Sequence, residues 1–248
     1  TPGAFDESLP AWSPDGSEIA FVSNRGPDPD RNNEFGLYAM RPQAGSTSRL
    51  LTRFQGEAGD SSWMSGPVWR PDGKEIAFVT AGDPKLIYYS VHRLAIVPAS
   101  GGDHRLIATD LDRNVLQPRW SADGKSIYAL VEDDRNQHLS RVNLASGKVE
   151  RILDGRRETS VFDLAILDRG RRNRIVLLDS TVDAPDEVYA LEGRNARRLT
   201  NQNEKWLSEV TLAAVEEISF ASKDGTRISG FLVTPPDYAP GRKYPAIL

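Results

Sequence analysis

The chain has 248 residues, enough for one large domain or for one domain and part of another. Its 31 basic and 35 acidic side chains leave a net charge of −4, so no basic field exists to attract nucleic acid. Cysteine is absent, which excludes disulfides and thiol chemistry, and no apolar run reaches the length of a membrane-spanning helix.

In chain order the first distinctive stretch is Leu9–Arg25, LPAWSPDGSEIAFVSNR, and the chain repeats it. Gly66–Gly82 is GPVWRPDGKEIAFVTAG, and Gln117–Asp133 is QPRWSADGKSIYALVED. Alignment on Trp12, Trp69 and Trp120 gives spacings of 57 and 51 residues. Each copy carries proline two residues before the tryptophan (Pro10, Pro67, Pro118). Asp-Gly follows three and four residues after it (Asp15-Gly16, Asp72-Gly73, Asp123-Gly124). Self-similarity at such a period marks a propeller or a solenoid.

Each unit begins with a β-hairpin. A short strand around the tryptophan meets a turn in which Asp bonds the local backbone and Gly accepts a positive φ. An apolar run, Ile19-Ala20-Phe21-Val22 in the first copy, then predicts a strand covered on both faces. Third and fourth strands are predicted at Leu37–Met40 with Arg49–Thr52, at Leu94–Val97 with His104–Ile107, and at Leu139–Val142 with Val149–Leu153. A fourth copy without tryptophan runs through Ser160–Leu164, Arg174–Ser180, Glu187–Leu191 and Arg197–Thr200, with Asp168-Arg169-Gly170 at its turn. Four antiparallel strands per repeat describe a propeller blade. The predicted fold class is therefore all-β: a partial β-propeller of about four four-stranded antiparallel blades, over about 6–52, 64–107, 115–153 and 160–200.

Beyond the blades, Asn201–Ala214 holds Trp206, Leu207, Val210 and Leu212 and is predicted as an exit segment, with one short helix, packed on the last blade. Residues 215–248 no longer follow the blade pattern. Glu217–Ser222 and Arg227–Thr234 alternate like strands about a Lys223-Asp224-Gly225-Thr226 turn. Tyr244–Leu248 then predicts the start of an apolar strand, and both ends of the sequence suggest a piece of a longer chain. The domain organisation expected is a propeller over 1–214 and a linker with first strands over 215–248.

The tail carries a resemblance. Leu199-Thr200-Asn201, Glu216-Glu217-Ile218, Lys223-Asp224-Gly225, Ile228–Leu232, Pro235-Pro236 and Lys243-Tyr244-Pro245 resemble the passage from propeller to α/β-hydrolase domain in the prolyl oligopeptidase family of serine peptidases. Its acylaminoacyl- and dipeptidyl-peptidase-like members are the most similar, and the blades resemble TolB-type repeats. The resemblance implies a substrate-gating propeller that admits short peptides to a hydrolase domain whose first strands are residues 215–248. It also implies that the oxyanion loop, the Gly-x-Ser-x-Gly elbow and the rest of the triad lie beyond Leu248, and no Gly-x-Ser-x-Gly occurs in the sequence. No catalytic residue is therefore expected here, and residues 1–248 alone are expected to be inactive. The partners implied are the hydrolase domain, the remaining blades and short peptide substrates, with self-association through open blade faces. The alternative is a non-enzymatic TolB-like propeller that binds proteins. A cytoplasmic location is expected, with a periplasmic one left open.

Candidate sites follow from position. Repetition of Trp12, Trp69 and Trp120 at one place in the blade points to packing between blades, and Asp15, Asp72 and Asp123 are turn formers by the same logic. His92, His104 and His138 fall at non-equivalent positions with no ligand spacing, and Asp28–Asn32 lacks the Gly and Glu of a calcium loop. Neither a metal nor another cofactor is expected. The arginines of 151–174 lack interleaved aromatics and are expected to be solvated. The connections 24–35, 53–65 and 80–92 are long and irregular and emerge on one face of the disc. They carry Arg25, Arg31, Glu34, Arg53, Trp63, Tyr88, Tyr89 and His92, the expected substrate- or hydrolase-facing group.

Overall fold

A computed structural model describes residues 5–29, 34–55, 65–81, 84–167 and 172–247. Among the described residues, the strands up to Arg198 fall into four successive antiparallel meanders. The first is β1 (Glu7–Trp12), β2 (Ile19–Ser23), β3 (Glu34–Met40) and β4 (Arg49–Gln55), hydrogen-bonded in that order. The second is β5 (Val68–Trp69), β6 (Glu75–Thr80), β7 (Arg93–Pro98) and β8 (Arg105–Leu106). Blade three comprises β9 (Val115–Trp120), β10 (Ser126–Asp133), β11 (Asn136–Asn143) and β12 (Val149–Arg151). Blade four comprises β13 (Glu158–Leu167), β14 (Arg172–Thr181), β15 (Ala184–Glu192) and β16 (Asn195–Arg198). β12 is short, so the start of β11 is left to pair with β13 through Gln137 and Glu158, the one parallel contact among the described residues. The architecture is the all-β one the repeats predict.

The repeated motif has a structural account. Ser13 and Gly16 close the first turn, with the Gly16 amide donating to the Ser13 carbonyl at 2.9 Å and Gly16 at φ 71°. The Asp15 carboxylate accepts from the Ser13 hydroxyl at 2.7 Å and the Ser17 amide at 3.0 Å. These donors, led by the Ser13 hydroxyl, hold its pKa down at about 2. Asp72 and Asp123 accept from the amides of Lys74 and Lys125 in the same way. The proline has a different reason. The ladder slips between Ser8 and Ala11, and again opposite Tyr128 and Leu130, so Pro10 and Pro118 sit in β-bulges where no amide donor is required. Leu9 and Gln117, just before them, take φ of 53° and 49°.

The core lies between the blades. Ala20, Val22, Leu37 and Leu51 of blade one meet Ile76, Phe78, Ala95 and Val97 of blade two. Equivalent seams join blade two to three around Leu94, Ile96, Trp120 and Ile127, and blade three to four around Leu130, Leu139, Phe162 and Leu177. The tryptophans stitch these seams: the Trp69 indole donates to the Ala11 carbonyl at 3.1 Å, and that of Trp120 to the Val68 carbonyl at 2.9 Å. Burial is unequal, however. Trp120 is 4% exposed, Trp69 is half-buried, and Trp12 is 59% exposed. Trp12 pairs with Ile19 on the face of blade one that turns away from blade two, where no blade of this structure covers it.

Two expectations for the last third are corrected. The exit segment does contain one short helix, α1 (Glu204–Ser208), but it buries no residue, and Trp206, Val210 and Leu212 are exposed. A polar anchor holds the segment instead. Glu187, 2% exposed, accepts from the Thr200 hydroxyl, the Arg198 guanidinium and the amides of Gln202 and Asn203. Secondly, β17 (Ala214–Ala221) and β18 (Arg227–Thr234) form the predicted hairpin, but residues 242–247 form no strand. A strand needs a ladder partner, and among the described residues none runs beside them; Ile247 is 99% exposed. The hairpin closes on the blades' own turn design: Gly225 at φ 87°, with Asp224 accepting from the Ser222 hydroxyl and the Thr226 amide.

Candidate functional site

In an up-and-down blade the first-to-second and third-to-fourth turns point one way. The second-to-third turns and the links between blades point the other. The two sets differ in chemistry here. The first set carries the tight Asp-Gly turns. The second, the loop face, is tied together by polar side chains: Asn114 accepts from the His92 amide at 2.8 Å and donates to Glu132 at 2.7 Å, and Arg113 pairs with Asp133 at 2.7 Å.

The expected loop residues take several places. Arg25 turns back onto blade one: its guanidinium lies 4.4 Å from the Tyr38 ring centroid and 5.4 Å from that of Phe21. It also donates to Glu7 at 2.9 Å and to the Ser48 hydroxyl at 2.5 Å. Its role is to cover the outward aromatic face of that blade. Glu34 and Arg53 are exposed on β3 and β4. Tyr88 and Tyr89 end a 3₁₀ turn over Pro84–Tyr89, where Tyr89 is 86% exposed. His92 is half-buried, its backbone tied to Asn114 and Val115. Arg31 and Trp63 lie outside the described residues, as does the Asp168-Arg169-Gly170 turn.

The hairpin meets the loop face elsewhere, at residues the sequence did not single out as a site. Glu217 on β17 and Phe231 on β18 are directly opposite in the ladder and so share one face of the hairpin. That face receives Arg135 from the β10–β11 turn and Arg156 from the link between blades three and four. Arg135 donates to the Gly230 carbonyl at 3.0 Å, lies 3.6 Å from the Glu217 carboxylate and stacks 5.3 Å from the Phe231 ring centroid. Arg156 pairs with Glu217 at 3.0 Å. A partly open pocket of about 120 Å³ lies between Phe231, these arginines and the start of β13. Beneath it, Arg157 donates at 2.5 Å to Asp179, which is 2% exposed and also accepts from Thr159 at 2.7 Å. Burial raises the Asp179 pKa, against these two contacts.

Thus two of the arginines expected to be merely solvated hold carboxylates, one at the hairpin and one in the seam. The available signal was the alternation of β17, which places Glu217 on the opposite face from Ile218 and Phe220. Its partners 82 and 61 residues upstream left no trace in local pattern. Gln117 ties three blades: its amide donates to the Ser65 hydroxyl at 3.0 Å and its side chain to the Ser160 carbonyl at 3.2 Å.

No family model matches the chain. Among curated proteins it is 27% identical over 243 residues to dipeptidyl-peptidase 5 of Porphyromonas gingivalis, covering 96% of this chain and 34% of that protein. It is 26% identical over 250 residues to the uncharacterized peptidase YuxL of Bacillus subtilis, covering 98% of this chain and 37% of that protein. The chain therefore spans about a third of the length of the curated relatives it matches. Among solved structures, an acylaminoacyl peptidase of Pyrococcus horikoshii matches 99% of this chain and 34% of its own, with TM-score 0.70 at 20% identity. TolB of Acinetobacter baumannii matches 79% of this chain and 43% of its own, with TM-score 0.56 at 19% identity.

Proposed function

We propose, for a chain related over nearly its whole length to peptidases of the prolyl oligopeptidase family, that it is the substrate-gating propeller portion of a serine peptidase acting on short peptides. The observation that carries this reading is the docking of the β17–β18 hairpin on the loop face of blades three and four. The family resemblance makes that hairpin the entry to the hydrolase domain. An entry strand pair seated there would set the catalytic domain over the mouth of the propeller, so that substrate size is filtered before chemistry. The relatives named dipeptidyl-peptidase 5 support a peptidase; short peptides as substrates and cleavage by acyl transfer are what the family resemblance implies.

Acyl transfer needs an activated nucleophile, a base and donors aimed at the oxyanion. Among the described residues, neither His104 nor His138 sits in such a set. His104 bonds Thr52 and meets Phe78 edge to face in the seam of blades one and two, and His138 is buried in blade three with no partner at Nδ1 among the described residues. On this reading residues 1–248 bind and gate, and the nucleophile belongs to the hydrolase domain. The test compares residues 1–248 with the full-length protein on short unblocked and acylated peptides. Turnover and serine-directed fluorophosphonate labelling are expected only in the full-length protein. Labelling of residues 1–248 would overturn the division of labour. A full-length protein that neither turns over nor labels would favour a protein-binding propeller.

A further inference from the structure

Asp134 and Arg135, the two central residues of the β10–β11 turn, both take left-handed backbone, with φ of 43° and 70°. A two-residue hairpin of this kind normally places Gly second, because a side chain there crowds its own carbonyl. Within the turn the arginine makes only an exposed pairing with its neighbour, donating to the Asp134 carboxylate at 3.1 Å and to the Asp134 carbonyl at 3.4 Å, contacts of small worth in water. Outside the turn, the same arginine carries the Gly230 hydrogen bond, the approach to Glu217 and the stacking on Phe231. Its side chain is 17% exposed, whereas that of Arg156, the second arm on Glu217, is 59% exposed.

The rest of the hairpin is lightly held. Its two strands pair with each other and, among the described residues, with no blade strand, and most of their residues are exposed. Among the described residues, the polar contacts from the blades to the hairpin come from Arg135 and Arg156. A two-stranded hairpin is marginal by itself in water, so its order depends on what it docks against.

From this we propose that Arg135 is an electrostatic latch. The strained turn aims its guanidinium at the Glu217–Phe231 face, and the latch reversibly docks the β17–β18 hairpin on the loop face of the propeller. Releasing it frees the hairpin and whatever the hairpin carries. That this would open a path for substrate rests on the peptidase reading; the latch itself does not. Arg135→Gly separates turn from latch, since glycine suits φ of 70° and the variant should fold at least as well while losing every contact Arg135 makes with the hairpin; the exposed Arg156–Glu217 pair stays. Glu217→Gln removes the charge from the hairpin side and leaves the turn untouched.

Hydrogen exchange on the full-length protein reads the result without any substrate. Both variants are expected to speed exchange across residues 214–234 by tenfold or more, with β10 and β11 as protected as before. In the unaltered protein, raising salt from 0.05 to 1 M, about 14 to 3 Å in screening length, is expected to shift the same amides in the same direction. Unchanged exchange at 214–234 in both variants would overturn the latch. So would loss of protection in β10 and β11 with Arg135→Gly while Glu217→Gln has no effect, because Arg135 would then be holding the blade. A hairpin released without any change in peptide turnover would leave the latch standing and remove only its connection to gating.

Discussion

The indole of Trp120 donates to the carbonyl of Val68 across the seam between blades two and three, at 2.9 Å, and the indole of Trp69 repeats the bond one blade earlier to Ala11. The repeat residue therefore reaches back to the residue just before its own counterpart in the preceding blade. A seam is closed by this bond together with the apolar side chains around it, so the same residue type should carry different energies according to which seam it faces.

Trp120→Ala should lower stability by about 3–5 kcal/mol, as expected for a large buried aromatic cut to a methyl group. Trp69→Ala should cost less, and Trp12→Ala, at 59% exposed, under about 1 kcal/mol. Trp120→Phe keeps most of the apolar surface and should show the loss of the Val68 bond, roughly 1 kcal/mol. Urea denaturation of the four variants checks the order; equal losses at Trp12 and Trp120 would contradict it.

The outward face of blade one, with Trp12, Pro10, Ile19, Phe21 and Met40, is built like a seam but has no blade against it. Residues 1–248 alone should therefore self-associate through it. Sedimentation velocity should show concentration-dependent species that Trp12→Glu reduces. Monomeric behaviour throughout, or species indifferent to that substitution, would count against a sticky seam.

Acid should destabilise the protein through His138. Burial first, and the Arg151 guanidinium second, lower its pKa from 6.5 to about 4, while Asp133 and Asp154 act weakly in the other direction. The native state thus declines a proton that the unfolded chain accepts. Its contribution is complete above pH 6.5 and is lost as pH falls toward 4, by up to about 1.4 kcal/mol per pH unit and roughly 3 kcal/mol in all. His138→Gln should flatten the stability profile in that window by this difference. An unchanged slope would mean that the imidazole reaches water.

Removing Arg157 should be costly because its partner cannot leave. Asp179 is 2% exposed, and Arg157→Leu strands its carboxylate with only the Thr159 hydroxyl. A loss of about 3 kcal/mol is expected, largely recovered in Arg157→Leu with Asp179→Asn, which removes the charge. Additive losses in thermal or urea unfolding would show that the two groups act independently.

The glycines of the repeated turn should not be equivalent either. Both Gly16 and Gly124 have positive φ, but a Cβ on Gly16 meets open space whereas one on Gly124 comes within 2.8 Å of Arg70 Nε. Arg70 is engaged by Glu75 at 2.7 Å and lies over Trp120. Gly16→Ala should cost about 1–2 kcal/mol for the backbone alone, and Gly124→Ala more. Denaturation midpoints of the pair provide the comparison.

What the sequence by itself determined is the part governed by local rules. The Asp-Gly turns, the bulged proline and the covered runs such as Ile19–Val22 each encode a strand or a turn within a few residues. Repetition makes them legible even in blade four, where the tryptophan is gone. The hairpin of residues 214–234 was legible for the same reason, its turn being the blades' own. Only the tertiary structure decided the rest. Burial of Trp120 against exposure of Trp12 depends on whether a blade stands opposite, which a repeat unit cannot record about its neighbour. The exit segment's anchor at Glu187 replaced the expected apolar packing because a buried carboxylate can gather several backbone amides at once. Arg135 and Glu217, 82 residues apart, become partners because the hairpin returns to the loop face of blade three. That meeting leaves no periodicity in either segment; its local sign is a left-handed arginine, visible once the backbone is in place.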